Sequence, residues 1–313
     1  MSAPLDPRFA KPRTLFFGIG AQKSATSWLD KYLRLNPEIC MPVRKEQHYW
    51  STREPGRADA RIAWMQLRQE KARNRPFWKQ LTRTRRGRAA DKAWALSERM
   101  LRHDSRGHAA YADVLFQAYR GEPVVGEITP EYALLSAGDF AELAALGPDV
   151  RFVFIMRDPL DRLRSGIRQK LRKTLGPEAV TPDGVAARMR EVIADPKDPG
   201  MLRSRYDLTI RTIESVIPAD RVLYLFFETM FNQAEMDRLT AFLGVRSRPA
   251  PVDRKVHESA SAGVRFPVAL EAEAVEALRP VYEFVRGKFG ALTPDEWYAL
   301  EAARPVAALS RIS

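Results

Sequence analysis

Short apolar runs that alternate with helical patterns constrain this chain more than any other feature of its sequence. The clearest run is 151–156, RFVFIM, similar runs occupy 14–19 and 221–227, and a shorter one includes Val124. In the segments between them, such as 160–171, apolar residues recur every three or four positions, as in amphipathic helices. Buried strands separated by helices predict an α/β fold, a parallel sheet with helices on both faces. Ligands of such sheets bind beyond the carboxyl ends of the strands.

Length and composition favour an ordinary globular protein. With 313 residues and 45% hydrophobic content, we expect 1–313 to form a single domain, with 1–13 as a loose, proline-rich arm. One cysteine, Cys40, and four histidines argue against a disulfide framework or a metal site, and we expect no bound metal. No apolar run approaches the ~20 residues of a membrane span, and the first is too short for a secretory signal. We therefore expect a cytoplasmic protein with its native N-terminus.

The positive charge is concentrated in one stretch of the chain. The formal net charge is +12, and residues 61–106 contain 14 basic and 4 acidic residues, interleaved with aromatic ones. One interpretation is a basic, mostly helical insertion (residues 51–121) whose arginines face solvent. The other is a cationic wall that faces an anionic acceptor. No familiar nucleic-acid-binding signature is present, so we expect no nucleic-acid partner.

The turn from the first strand to the first helix has the composition of an anion site. Residues 18–27 read GIGAQKSATS, so small residues let the backbone approach a ligand and Lys23 adds a mobile cation. Free N–H groups and the dipole at a helix start favour negative charge. The turn is not a Walker A loop, which has glycine where Gln22 stands, and it lacks the third glycine of a dinucleotide fingerprint. An ordinary turn with a Ser/Thr N-cap is the alternative interpretation.

A second strand ends at an arginine suited to a phosphate group. Arg157 follows the run 151–156, and its planar guanidinium can bind phosphate through two hydrogen bonds. Ser165 follows eight residues later, within the first two turns of the next helix. The alternative is that Arg157 pairs with Asp158 or Asp161. Two such elements predict a ligand with two separated anionic groups.

Taken together, these segments resemble the sulfotransferase superfamily that uses 3′-phosphoadenosine 5′-phosphosulfate (PAPS). Residues 23–27, KSATS, resemble the 5′-phosphosulfate motif K-x-G-T-[TS], and Arg157 with Ser165 resembles the 3′-phosphate motif. Residues 45–50, KEQHYW, resemble the K-E-x-H-[FY]-[FW] segment of bacterial members related to the carbohydrate (heparan-type) enzymes. Residues 126–132, GEITPEY, resemble their G-E-x-[ST]-P-x-Y segment. These motifs occur in the family's order.

The resemblance implies transfer of a sulfuryl group from PAPS, without a metal, to a hydroxyl or amine of a carbohydrate, glycan or other small molecule. The basic stretch favours an acidic acceptor. The implied donor-binding residues are Gln22, Lys23, Ser24, Ala25, Thr26, Ser27, Arg157, Ser165 and Arg265. Lys23 is also implied to be catalytic, by neutralising charge on the transferred group. Glu46 is favoured as the general base, with His48 as its orienting partner or as a second candidate.

One departure from the family pattern yields a prediction, and two other functions stay open. Ala25 stands where the family usually has glycine, so we predict a negative φ there, because a β-carbon is costly in the left-handed region. Glu127 is expected to orient Lys23 or the acceptor, whereas Thr129 and Tyr132 are expected to be structural. The open alternatives are a P-loop kinase or nucleotide hydrolase, and a non-enzymatic anion-binding or nucleic-acid-binding protein.

Overall fold

A five-stranded parallel sheet forms the centre of the protein, which the computed structural model describes over residues 4–73, 85–103, 105–250 and 267–297. The strands are β1 Thr14–Gly20, β2 Ile39–Cys40, β3 Val124–Ile128, β4 Val150–Met156 and β5 Val222–Phe226. Their order is β2-β3-β1-β4-β5, with every neighbouring pair parallel. This arrangement confirms the predicted α/β class and puts the ends of β1 and β4 side by side.

Helices cover both faces of the sheet. In the described ranges they are α1 Thr26–Leu33, α2 Arg57–Arg73, α3 Arg85–Leu101, α4 Ala109–Leu115, α5 Ala137–Ala144, α6 Pro159–Thr174, α7 Pro182–Ala194, α8 Pro199–Leu202, α9 Tyr206–Glu214, α10 Gln233–Leu243 and α11 Val268–Phe289. None of these helices is long and apolar enough to cross a lipid bilayer.

Strand β4 shows how the sheet is buried on both faces. Phe152 and Phe154 belong to one cluster of buried residues, and Val153 and Ile155 belong to the other. Successive strand residues point to opposite faces, so an uninterrupted apolar run is what a doubly covered strand requires. Helices α1 and α10 contribute to the second cluster, and α5, α6, α9 and α11 contribute to the first.

Helices α2, α3 and α4 lie between β2 and β3, inside the predicted basic insertion of residues 51–121. The insertion packs on the KEQHYW segment through aromatic rings. Tyr111 of α4 stacks on Tyr49 with ring centroids 4.6 Å apart, and Trp50 meets the edge of Tyr111 at 6.2 Å. The basic helices are therefore attached to the segment that carries the predicted general base.

The N-terminal residues 4–13 differ from the expected loose arm. They contain a 3-10 helix, Pro7–Ala10, in which Phe9 is only 1% exposed and packs edge-on against Phe116. The Nη1 atom of Arg8 donates a 2.7 Å hydrogen bond to Asp113 in α4. Residues 4–13 are therefore packed on the protein, because a buried aromatic ring and two ion pairs of Arg8 hold them there.

Candidate active site

The turn between β1 and α1 (residues 21–25) lies at the carboxyl end of the sheet's central strand. Lys23 and Ala25 both have left-handed backbone conformations, with φ of 77° and 57°. The predicted negative φ of Ala25 is therefore wrong, because Ala25 serves as the N-cap of α1, where the chain turns from strand to helix. As the N-cap, Ala25 has no side chain that accepts a hydrogen bond from the first N–H groups of α1. The turn thus leaves these donors available to an anion.

Lys23 is surrounded by other cations. Its side chain is half-buried, and within the described residues its ammonium group has no ion pair or hydrogen-bond acceptor. Burial, followed by the charges of Lys173, Arg157 and Arg172, lowers the pKa of Lys23. Concentrated positive charge of this kind is stabilised by a bound anion.

Arg157 brings the second predicted element against the first. It follows β4 directly, and its Nη1 atom lies 3.4 Å from the carbonyl oxygen of Lys23. Its guanidinium carbon lies 4.6 Å from the centre of the Phe227 ring. Asp161 lies 3.5 Å from Nη2, which is the pairing that the alternative interpretation expected. The two predicted anion-binding elements are therefore neighbours, and among the described residues Asp161 is the acid that pairs with Arg157.

Helix α6 positions Ser165 and holds the strand end in place. Ser165 is half-buried one helical turn beyond Asp161, on the same face of the helix. Asp158 is the N-cap of α6 and accepts a 2.8 Å hydrogen bond from the backbone N–H of Asp161. The backbone N–H of Asp158 in turn donates to Glu228 at 2.8 Å. Burial raises the pKa of Asp158 to about 7.

Lys45 connects the KEQHYW segment to the β1–α1 turn. Its Nζ atom lies 3.1 Å from Oγ1 of Thr26, 3.4 Å from Oγ of Ser27 and 3.0 Å from Oε1 of Glu46. Lys45 is not among the site residues predicted from the sequence. A lysine beside a glutamate indicates a local ion pair, and no pattern in the sequence reports a contact with side chains 18 and 19 positions away.

Glu46 and His48 lie near each other, and their roles as base and orienting partner stay a prediction. The Nε2 atom of His48 is 3.8 Å from Oε2 of Glu46, which is too long for a hydrogen bond. Burial by itself would raise the pKa of Glu46, but His48 and Lys45 outweigh it and lower this pKa to about 2. The Nδ1 atom of His48 lies 3.2 Å from Oγ of Ser51. Its Nε2 is buried without a hydrogen-bond partner in the described residues.

Glu127 has a different role from the one expected. Its carboxylate is 1% exposed and accepts hydrogen bonds from Tyr111 at 2.6 Å, Tyr132 at 2.8 Å and Thr129 at 2.7 Å. It also accepts a 3.2 Å hydrogen bond from the backbone N–H of Gln47. Glu127 thus anchors the chain between Glu46 and His48 rather than contacting Lys23. Burial raises its pKa against the opposing effect of these donors.

The residues of the turn fit a phosphorylated donor, judged from polar atoms that lack partners. The buried Oγ of Ser24 and Nε of Arg157 have no hydrogen-bond partner in the part of the chain that the structure describes. Gln22 is half-buried and Ser27 is exposed, so both can reach a ligand beside the turn. Arg265 lies outside the described residues. Within those residues no three His, Cys, Asp or Glu side chains are grouped as metal ligands, and the metal-free site stays a prediction.

Comparison with known proteins assigns the chain to a family. A model of the sulfotransferase family matches residues 16–249, a range that includes Lys23, Glu46, Arg157 and Ser165. The chain therefore belongs to the sulfotransferase family. No curated protein matches the sequence significantly.

Solved structures of sulfotransferases resemble the fold over almost the whole chain. A sulfotransferase from Alicyclobacillus acidocaldarius is 22% identical, with a TM-score of 0.57, and the match covers 92% of this chain and 99% of that one. A sulfotransferase domain of the Synechococcus PCC 7002 olefin synthase is 14% identical, with a TM-score of 0.49 and coverage of 87% and 95%. At such identities the similarity concerns the fold.

Proposed function

We propose that this sulfotransferase takes its sulfuryl group from PAPS and transfers it to a hydroxyl or amine of a carbohydrate, glycan or other small molecule. The observation that carries the proposal is the half-buried ammonium of Lys23, which lies among cations and lacks a counter-ion in the described residues. A donor with phosphates at two positions complements the two neighbouring cationic elements, Lys23 and Arg157. The cytoplasmic location expected from the sequence stays a prediction.

The donor-side residues divide the two phosphates between them. The N–H groups at the start of α1, with the hydroxyls of Thr26 and Ser27, hold the 5′-phosphate. Arg157 and Ser165 grip the 3′-phosphate. When bound, PAPS supplies a sulfuryl group that passes to the acceptor oxygen as its bond to the 5′-phosphate oxygen breaks. Lys23 neutralises the negative charge that develops beside it, by analogy with phosphoryl transfer.

Glu46 takes the proton of the attacking hydroxyl, with Nε2 of His48 beside its carboxylate at 3.8 Å. A carboxylate with a pKa of about 2 is a weak base while it is paired with Lys45. An anion bound at Thr26 and Ser27 competes with Glu46 for the same ammonium. Weakening the Lys45–Glu46 pair raises the pKa of Glu46 toward its ordinary value. Donor binding therefore makes Glu46 a better base.

Calorimetry with the product nucleotide, 3′-phosphoadenosine 5′-phosphate (PAP), and with AMP tests the donor assignment. The wild-type protein is expected to bind PAP at least about tenfold more tightly than AMP, because a charge-assisted phosphate contact is worth more than about 1.4 kcal/mol. Arg157→Ala is expected to abolish this preference, and Lys23→Ala to abolish transfer from labelled PAPS while the protein stays folded. Arg238→Ala, on the exposed surface of α10, is the matched control.

Two results would contradict the proposal. One is a wild-type protein that does not distinguish PAP from AMP. The other is magnesium-dependent ATP hydrolysis without PAP affinity, which would instead favour the kinase or hydrolase alternative.

A further inference from the structure

Three arginines lie close enough to one another for their charges to interact, and one of them, Arg61, also interacts with Glu46. Arg44 precedes the KEQHYW segment, and Arg61 and Arg68 lie two turns apart on one face of α2. The guanidinium carbons of Arg61 and Arg68 are 4.5 and 5.0 Å from the centre of the Trp64 ring. The guanidinium carbon of Arg44 is 3.3 Å from the centre of the Trp94 ring in α3. We call Arg44, Arg61 and Arg68 the arginine cluster.

The arginine cluster has no counter-ion of its own in the described residues. None of its three guanidinium groups forms an ion pair or a hydrogen bond with the residues described, whereas most other arginines nearby do. Burial and then the charges of Arg61 and Arg68 lower the pKa of Arg44 to about 10. Burial also lowers the pKa of Arg61, while Glu46 and Glu131 attract its charge.

The position of the cluster decides what it can bind. Arg61 is close enough to Glu46 for the two charges to interact, so a group held by Arg61 lies near a hydroxyl that Glu46 deprotonates. Trp64 is 38% exposed on the same side of α2, and its ring is covered by the guanidinium groups of Arg61 and Arg68. Guanidinium groups bind carboxylates through two parallel hydrogen bonds.

We propose that the arginine cluster is an acceptor subsite that binds a carboxylate group of the acceptor. This inference rests on the proposed function and deepens it, because it names the acceptor class as hydroxylated carboxylic acids. The acceptor's carboxylate is the counter-ion that these three guanidinium groups lack among the described residues, and its binding holds the acceptor hydroxyl near Glu46.

Matched acids and neutral analogues test the subsite. The probes are 4-nitrophenyl β-D-glucuronide against the corresponding glucoside, and 4-hydroxyphenylacetic acid against its methyl ester. Calorimetry measures their binding to the full chain, with and without saturating PAP, and labelled PAPS measures their sulfation. We expect at least one acid to bind about tenfold more tightly than its neutral partner, the size of one charge-assisted contact.

Two arginines of α2 provide the variant and its control. Arg61→Gln is expected to remove the preference for the acid while the affinity for PAP stays unchanged. Arg57→Gln makes the same change one turn earlier on α2, at an arginine paired with Glu54, and is expected to leave both quantities unchanged. A wild-type protein that does not bind PAP would contradict the proposed function. The preference for the acid could still be measured without PAP.

Three outcomes would overturn the subsite. The first is that the neutral member of each pair binds with the same affinity as its acid, or that neither acid binds. The second is an acid preference that survives in Arg61→Gln. The third is that single-stranded DNA binds more tightly than either acid and that this binding is lost in Arg61→Gln. That result would assign the arginine cluster to nucleic acid.

Discussion

At the scale of single residues, Ala25 adopts a conformation that its side chain disfavours. Its φ of 57° and ψ of 19° lie in the left-handed region, where a β-carbon crowds the backbone. The left-handed conformation of Ala25 has a steric cost. In return, the turn directs the first N–H groups of α1 outward. Ala25 is thus a local exception to the glycine that the family usually has at this position.

Replacing Ala25 should stabilise the protein. Ala25→Gly is expected to raise the free energy of unfolding by about 0.5–1 kcal/mol, because glycine adopts the left-handed region without steric cost. Urea denaturation measures the change. The control is Ala187→Gly, the same substitution at an exposed position inside α7, which is expected to lower stability by about 1 kcal/mol. Equal effects at both positions would show that Ala25 is not strained.

The pH dependence of the reaction tests the identity of the base. Because the pKa of Glu46 is lowered to about 2, its carboxylate is already ionised throughout the range from pH 5 to 8. If Glu46 is the base, kcat/KM is expected to stay flat over this range, since this ratio reports the free enzyme. An acid limb near neutrality that disappears in His48→Gln would assign the base to His48 instead.

At the scale of elements, β3 couples the basic insertion to the KEQHYW segment. Its Glu127 accepts hydrogen bonds from α4, from the turn after β3 and from the backbone between Glu46 and His48. One buried carboxylate therefore holds three parts of the chain together. Glu127 fixes the position of the backbone beside Glu46, the residue predicted to be the base.

Removing this carboxylate should affect stability and catalysis together. Glu127→Ala is expected to lower the free energy of unfolding by about 3 kcal/mol, because the buried hydroxyls of Tyr111 and Tyr132 lose their acceptor. Its kcat is expected to fall while PAP affinity changes little. Urea denaturation, transfer assays and calorimetry measure these three quantities. Glu122→Ala, at a less buried acid before β3, is the control, and an equal loss of stability there would refute the coupling.

Strands with long apolar runs could be predicted from the sequence. Strands and contacts that depend on pairing with another part of the folded chain could not. β4 was expected at 151–156 and occupies Val150–Met156, because its burial on both faces demands an uninterrupted run. β2 is only Ile39–Cys40 and exists through its pairing with β3, so no pattern in the sequence marks it. The same limit applies to Lys45, whose contact with Thr26 depends on the folded chain.

At the scale of the whole molecule, residues 4–13 are attached to the basic insertion. Phe9 belongs to the large buried cluster, and Arg8 contacts both Asp6 and Asp113. The backbone N–H of Asp6 donates a 2.9 Å hydrogen bond to Gly107. Residues 4–13 therefore support the layer of helices that carries the arginine cluster.

Truncating the ring of Phe9 should weaken the whole domain. Phe9→Ala is expected to lower the free energy of unfolding by about 3–5 kcal/mol, because it leaves a cavity beneath the insertion. Thermal denaturation with and without PAP measures the loss. Leu5→Ala, at a side chain that is 43% exposed, is expected to have little effect. A Phe9→Ala protein as stable as the wild type would mean that these residues are dispensable.

The hydrogen bond between Tyr111 and Glu127 limits how freely the basic insertion can be exchanged. A chimera that carries the insertion of another sulfotransferase must return a hydroxyl to the place of the Tyr111 hydroxyl. Without it, the chimera would gain the new insertion but displace Glu46, the proposed base. Efforts to retarget this enzyme should therefore graft the outward faces of α2 and α3 and retain α4 unchanged.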